Sequence, residues 1–118
     1  MVVFSTNVVG IGNEAELFKE EKMMILFGKE APDALAEYCY NIEVNTTADE
    51  IKKGMYLKFD NQAYKITSVG NVVRKNLDLL GHITIKFDGS TQPELPGTLY
   101  VEDKELPQMK IGTKVVIE

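Results

Sequence analysis

The only histidine of the chain, His82, is the side chain best suited to chemistry near neutral pH. It precedes the alternating stretch "ITIKFDG", in which every second residue is apolar: Ile83, Ile85 and Phe87. His82, Thr84 and Lys86 share the opposite parity, so a strand here turns them to its polar side. An imidazole can accept a phosphoryl group, move a proton or bind a metal ion. A lone histidine on a polar strand face is also a common surface residue, and both interpretations stay open at this point.

Two neighbours could support a phosphoryl group on His82. The hydroxyl of Thr84 and the ammonium group of Lys86 lie on the same predicted face and can donate to phosphate oxygens. Gly81, in contrast, ends a predicted helix and places His82 near the negative end of the helix dipole. That position favours the imidazolium form, which cannot attack phosphorus.

Other residue types offer little chemistry. Cys39 stands in "EYCYN" without a cationic neighbour in sequence, which predicts a buried, unreactive thiol. No spacing of cysteine and histidine suits zinc, and "GIG" is too short for a phosphate-binding loop. The sequence therefore predicts neither a metal site nor a cofactor.

Bulk properties indicate one globular domain over residues 1–118. Hydrophobic residues make up 44% of the chain and charged residues 26%, and one cysteine cannot form an internal disulfide. The net charge of −5 argues against a binder of nucleic acid. The opening "MVVFSTNVVG" does not have the pattern of a signal peptide, and no apolar run is long enough to span a membrane. We expect a cytoplasmic protein.

Short alternating runs dominate the chain and predict an all-β fold, a small antiparallel β-barrel-like domain with one or two short helices. Seven or so strands are expected, and the βαβ alternation of a parallel sheet is not seen. The predicted strands lie in "MVVFSTNVVGIG", "KMMILF", "YNIEV", both arms of "GMYLKFDNQAYKITSVG", "HITIKFDG", "PGTLYVED" and "GTKVVIE". Segments "IKKGMYLKF" and "MKIGTKVVI" are similar, which predicts two strands that are each entered through a glycine bend.

Two helices are predicted. Val73, Leu77 and Leu80 follow helical spacing, with Asn71 as the expected N-cap and Gly81 as the expected end. A shorter helix is expected over residues 32–38, because Pro32 suits a first helical turn.

Several segments resemble one family of bacterial transport proteins. The text "GHITIKFDG", followed by "PELPGTLYVED", is its most specific part, and "EAPDALAEYCY" and "YKITSVGNVVRKNLDLLGH" extend it. These segments resemble the glucitol/sorbitol-specific enzyme IIA component of the sugar phosphotransferase system, from about Met24 to Val101. The chain would then be a single sorbitol-type enzyme IIA domain.

The resemblance implies a cytoplasmic phosphocarrier with a compact β-barrel-like fold. Such a component takes a phosphoryl group from the histidine-containing phosphocarrier protein. It passes the group to the IIB part of the transporter, whose IIB and IIC parts bring sorbitol (glucitol) into the cell.

The chain departs from that family pattern at one position. The resemblance places the usual phosphorylated histidine three residues after Cys39, where this chain has Ile42. Either His82 is the phosphoryl acceptor, or the chain is a relative that cannot be phosphorylated and acts as a regulatory or interaction module. A small-ligand barrel unrelated to phosphotransfer is a third hypothesis, which stands only without the resemblance.

Overall fold

Eight strands form a closed barrel in the computed structural model, which describes residues 1–118. The strands are β1 (Phe4–Ile11), β2 (Met23–Phe27), β3 (Tyr40–Ile42), β4 (Tyr56–Phe59), β5 (Gln62–Val69), β6 (Ile83–Lys86), β7 (Thr98–Val101) and β8 (Lys114–Ile117). Their order around the barrel is β1-β3-β2-β6-β7-β5-β4-β8. The prediction of an all-β barrel is confirmed, and each of the predicted strand segments contains one of the eight strands.

The last strand closes the barrel. β8 pairs antiparallel with β1 on one side, where Ile117 lies opposite Phe4. On its other side it pairs antiparallel with β4, where Ile117 lies opposite Leu57. Register shifts in β1 and β5 mark bulges, which bend strands as a small barrel requires.

Six of the eight neighbouring strand pairs are antiparallel, in agreement with the predicted antiparallel barrel, and two are parallel. β2 pairs parallel with β3 and β6 with β7, while the other neighbours pair antiparallel. A parallel pair needs a crossover, and the one between β2 and β3 contains the short helix α1 (Asp33–Ala36). The short helix predicted over residues 32–38 is thus present, but it is limited to one α-helical turn.

The barrel interior is filled by the apolar parity of each strand. Ile83, Ile85 and Phe87 are at most 2% exposed, so the alternation around His82 was interpreted correctly. The ring of Phe87 meets that of Tyr64 edge to face at 4.9 Å between centroids. Aromatic pairs of this geometry stabilise a core beyond the area they bury.

The longer predicted helix is present as α2 (Val73–Leu80), and a 3-10 turn covers Leu17–Glu21. The N-cap of α2 is Val72, which offers no side-chain acceptor, so the prediction that Asn71 caps this helix is wrong. The chain turns one residue later because the N–H of Val72 donates to the carbonyl of Pro96. Gly81 ends the helix in the left-handed conformation with φ 66°, as predicted.

The two similar segments indeed enter strands through glycine bends. Gly54 precedes β4 with φ 94°, and Gly112 precedes β8 with φ 93°. β4 and β8 are neighbours in the barrel, so two adjacent strands each begin after a glycine with positive φ. No helix of the chain combines the length and apolar character that crossing a bilayer requires.

Candidate functional site

His82 is held between the end of α2 and the start of β6. The N–H of Gly81 donates to the carbonyl of Leu77 at 3.0 Å, and the N–H of His82 donates to that of Asn76 at 3.3 Å. These bonds satisfy carbonyl groups that a helix end leaves free. The backbone of His82 is therefore fixed on both sides.

The imidazole of His82 stacks on the ring of Phe27. The ring centroids are 4.3 Å apart and the planes differ by 12°. β2 runs antiparallel to β6, with Leu26 opposite Ile83, so Phe27 comes to lie beside His82 on the outer side of the barrel. Phe27 is only 5% exposed because the imidazole and its neighbours cover it.

Burial lowers the pKa of His82 below its ordinary value of 6.5, since desolvation disfavours the charged ring. This is opposite to the effect expected from the nearby helix end. No protein atom forms a hydrogen bond or an ion pair with the ring, while the side chain remains half-buried and open on one side. Burial thus favours the neutral imidazole, and the side chain is only half-buried.

An apolar rim borders this imidazole. The N–H of Gly28 donates to the carbonyl of Leu80 at 2.9 Å, which joins the end of β2 to the end of α2. A methyl group of Val44 lies against Gly28 and Gly81. Val44, Leu79 and Leu80 are 41%, 66% and 40% exposed, an unusual concentration of apolar surface beside one polar ring.

Thr84 and Lys86 follow His82 along the same outer face, as predicted. Thr84 lies opposite Ile25 and Lys86 opposite Met23 on β2. Neither side chain forms a hydrogen bond or an ion pair with the protein. Along a strand, Thr84 is about 7 Å and Lys86 about 13 Å from His82. Thr84 is therefore the nearer of the two, and Lys86 reaches the imidazole only with its side chain extended back along β6.

Ile42 faces the opposite way from His82. It is 1% exposed and belongs to the core, while its neighbour Asn41 turns outward. Asn41 lies beside Phe27 on β3, so His82 and Asn41 flank that ring on the outer side of the barrel. At this position the chain has a side chain that packs the barrel and cannot be reached from outside.

Cys39 is buried, as predicted. The residue is 1% exposed, its Sγ donates to the carbonyl of Leu35 at 3.1 Å, and burial raises the pKa of its thiol. Its low reactivity stays a prediction. No group of three or more histidine, cysteine, aspartate and glutamate side chains is arranged to hold a metal ion.

Phe27 is the site residue that the sequence did not reveal. It ends the apolar run "KMMILF", where Met23, Ile25 and Phe27 share the outward parity. A large aromatic residue on an outward position at the end of a strand was the available signal. Its partner in space could not be inferred, because the pairing of β2 with β6 joins residues far apart in the sequence.

The match to a family model decides the family. The model of the PTS system glucitol/sorbitol-specific IIA component matches residues 3–116. The chain belongs to this family. Two similar proteins, from Shigella flexneri and Escherichia coli strain K12, bear the name PTS system glucitol/sorbitol-specific EIIA component. Each is 34% identical over 100 residues, which cover 85% of this chain and 81% of the relative.

A solved structure supports the fold of this glucitol/sorbitol-specific IIA protein. The crystal structure of a PTS system IIA component from Enterococcus faecalis V583 superposes with a TM-score of 0.82 at 29% identity. The match covers 95% of this chain and 97% of that one. The family resemblance and the barrel expected from sequence are both confirmed.

Proposed function

We propose that this IIA protein is a phosphoryl carrier whose acceptor is His82. The observation that supports it most is the neutral, unbonded imidazole stacked on Phe27 at 4.3 Å on the outer side of the barrel. In this proposal residues 1–118 act as one cytoplasmic domain. The donor is the histidine-containing phosphocarrier protein, and the recipient is the IIB part of a sorbitol (glucitol) transporter with its IIC part.

The transfer step needs little besides positioning. The lone pair of the unprotonated ring nitrogen of His82 forms an N–P bond as the N–P bond of the donor phosphohistidine breaks. The donor ring keeps the electron pair of the broken bond, and one proton passes from the phosphorylated imidazole to the donor side. In this proposal the hydroxyl of Thr84 donates to a phosphoryl oxygen, and Lys86 neutralises charge from farther along the strand.

The apolar rim around His82 gives the protein partners a surface to dock on. Val44, Leu79 and Leu80 together expose apolar area that a partner would cover while its own histidine meets His82. Excluding water there strengthens the contacts to the transferring phosphoryl group. Docking and chemistry therefore occupy one face of the barrel.

A second candidate function is favoured by Ile42. The resemblance places the usual acceptor at this position, and here its side chain is 1% exposed in the core. In that case the chain binds the same partners without carrying a phosphoryl group and acts as a regulatory or interaction module.

Intact-mass measurement after incubation with phosphoenolpyruvate and the two general phosphotransferase proteins separates the two candidates. The carrier gains one acid-labile adduct of about 80 Da, the mass of a phosphoryl group. The adduct does not form in His82→Gln. In Lys86→Gln it forms, but at a lower rate than in the wild-type chain. Circular dichroism of His82→Gln serves as the folding control. An unmodified wild-type chain beside a fully phosphorylated donor would reject the carrier and leave the interaction module.

A further inference from the structure

A groove of about 840 Å³ lies at the end of α2 that is remote from His82. We call it the α2 groove. Its walls are the loop 49–53, the end of β5 with the residues that follow it, the first turn of α2 and the loop 91–93. Its volume falls within the range of small-ligand sites, which is about 300–1,000 Å³. About 12 Å of helix, eight residues at 1.5 Å each, separates it from the His82 site.

Arg74 presents its guanidinium to this groove in a fixed orientation. Its Nε donates to Oγ1 of Thr47 at 2.7 Å. That hydroxyl donates to Asp78 at 3.2 Å, and the N–H of Thr47 donates to the same carboxylate at 2.7 Å. Only the Nε edge is engaged, so the two terminal nitrogens are free to donate. A guanidinium held by one edge is ready for two parallel hydrogen bonds to an oxyanion.

Ser68 supplies the second indication of a ligand. The residue is 5% exposed, lines the α2 groove and makes no side-chain hydrogen bond in the protein. No fully enclosed side-chain polar atom of the structure lacks a partner, so this hydroxyl opens into the groove. Asn71, an exposed residue, lines the same groove and does not cap the helix. Buried polar groups are normally bonded, so the hydroxyl of Ser68 is the group that calls for a partner.

The charge of the α2 groove differs from that of the molecule. Lys52 and Lys53 line it without any ion pair and join Arg74, while the acidic residues of the lining are Asp49 and Glu50. Asp78 forms an ion pair with Arg74 at 4.0 Å, so three cations face three carboxylates and the local charge is close to zero on a chain of −5. The N-terminus of α2 adds partial positive charge, since Val72 gives it no side-chain cap.

From this arrangement we infer that the α2 groove binds a small phosphorylated molecule that also carries hydroxyl groups. The phosphate is held by Arg74 with Lys52 and Lys53, and the hydroxyl groups donate to Asp49 and Glu50 and accept from Ser68 or Asn71. A ligand without hydroxyl groups would leave Asp49 and Glu50 without donors, whereas an uncharged polyol would leave Lys52 and Lys53 without an ion-pair partner. The mixture of groups selects a ligand that has both chemistries.

Titration of the ¹⁵N-labelled chain with glucose 6-phosphate tests the inference. We expect saturable shifts of amide signals within residues 49–53 and 68–75, no saturable shifts with glucose, and weaker binding of inorganic phosphate. Arg74→Gln and Ser68→Ala each weaken binding, the former by about tenfold or more, because a charge-assisted bidentate contact is lost. Lys75→Gln is the matched control: it removes the same charge from the next, exposed residue, and affinity stays within about twofold.

Ser68→Ala keeps the test valid if Arg74→Gln loosens the loop at Thr47. His82→Gln is expected to bind glucose 6-phosphate as the wild-type chain does, so failure of the carrier proposal leaves this one standing. Equal affinity in the wild type, Arg74→Gln and Ser68→Ala would overturn the inference. No saturable shift at millimolar ligand, or tighter binding of a glutamate-rich peptide to the same residues, would also overturn it, the latter in favour of a docking site for an acidic protein segment.

Discussion

His82 is subject to two opposing electrostatic influences. The end of α2 directs carbonyl dipoles toward the residue and favours the imidazolium form. Stacking on Phe27 removes water from one face of the ring and favours the neutral form. Burial prevails in the structure, where the pKa of His82 is lowered from 6.5. For a phosphoryl acceptor this is the useful outcome, because only the neutral ring has a lone pair to offer.

We predict that the pKa of His82 in the folded chain lies below 6.5, its ordinary value. The sign for stability follows: the unfolded state binds the proton more readily, so the native state loses stability as pH falls below 6.5. Following the ring proton signals by NMR gives the pKa without ambiguity, since the chain has a single histidine.

Phe27→Leu is the matched variant for this measurement. It keeps an apolar residue and removes the stacked ring, so the pKa of His82 should rise toward 6.5. A wild-type pKa above 6.5 would show that the helix end outweighs burial.

At the scale of elements, α2 and the strands around it form one mechanical unit. Gly81 links α2 to β6, Gly28 ends β2, and the carbonyl of Leu80 bonds to the N–H of Gly28. Both glycines are needed for this close approach: a Cβ at Gly81 would lie 3.0 Å from the nitrogen of Gly28. The site geometry therefore depends on two backbones meeting without side chains between them.

We expect Gly81→Ala to destabilise the native state more than Gly112→Ala does. Both glycines have positive φ, at 66° and 93°, so both substitutions cost about 1–2 kcal/mol of left-handed strain. Only at Gly81 does the new methyl group also meet neighbouring backbone, whereas nothing lies within 4 Å at Gly112. Urea denaturation of the two variants gives the comparison. Equal losses would mean that the contact between Gly28 and Gly81 is looser than the structure shows.

The features of this fold that could be predicted from the sequence are those set by local residue patterns. The alternation through Ile83, Ile85 and Phe87 predicted that His82 faces outward. The left-handed turn at Gly81 was predictable because glycine commonly ends a helix in that conformation. The stacking of Phe27 on His82 could not be predicted, because it depends on which strands become neighbours. Thr47 donates to Asp78 and accepts from Arg74, residues that are 31 and 27 positions away in the sequence. At such separations a sequence pattern carries no information about distance.

At the scale of the whole molecule, the two ends of α2 divide the barrel surface between two kinds of chemistry. One end presents a neutral imidazole within an apolar rim, and the other presents the cations of the α2 groove. The rigid helix and the strands beside it hold these faces apart. The ligand proposed for the α2 groove and the protein partner proposed for the rim would therefore occupy separate surfaces.

Integrity of the barrel rests on its seam, where Ile117 of β8 lies between Phe4 of β1 and Leu57 of β4. We predict that Ile117→Ala lowers the free energy of unfolding by about 2–5 kcal/mol, because it opens a cavity in a packed core. Val116→Ala is the matched control, since Val116 is a half-buried neighbour on the same strand. Calorimetric melting of both variants measures the difference. A loss at Ile117 no larger than that at Val116 would show that β8 is not part of a packed seam.

The position of β8 has a further consequence for how the chain acquires its structure during synthesis. β1 is made early and β8 last of the eight strands, so β1 and β4 have unpaired edges until β8 has been synthesised and has left the ribosome. Such edges are templates for pairing with other chains. A polypeptide stalled on the ribosome before that point would hold seven strands and no closed barrel, and would be a substrate for chaperones or proteases. The barrel can therefore close only after β8 has been made and has paired with both β1 and β4.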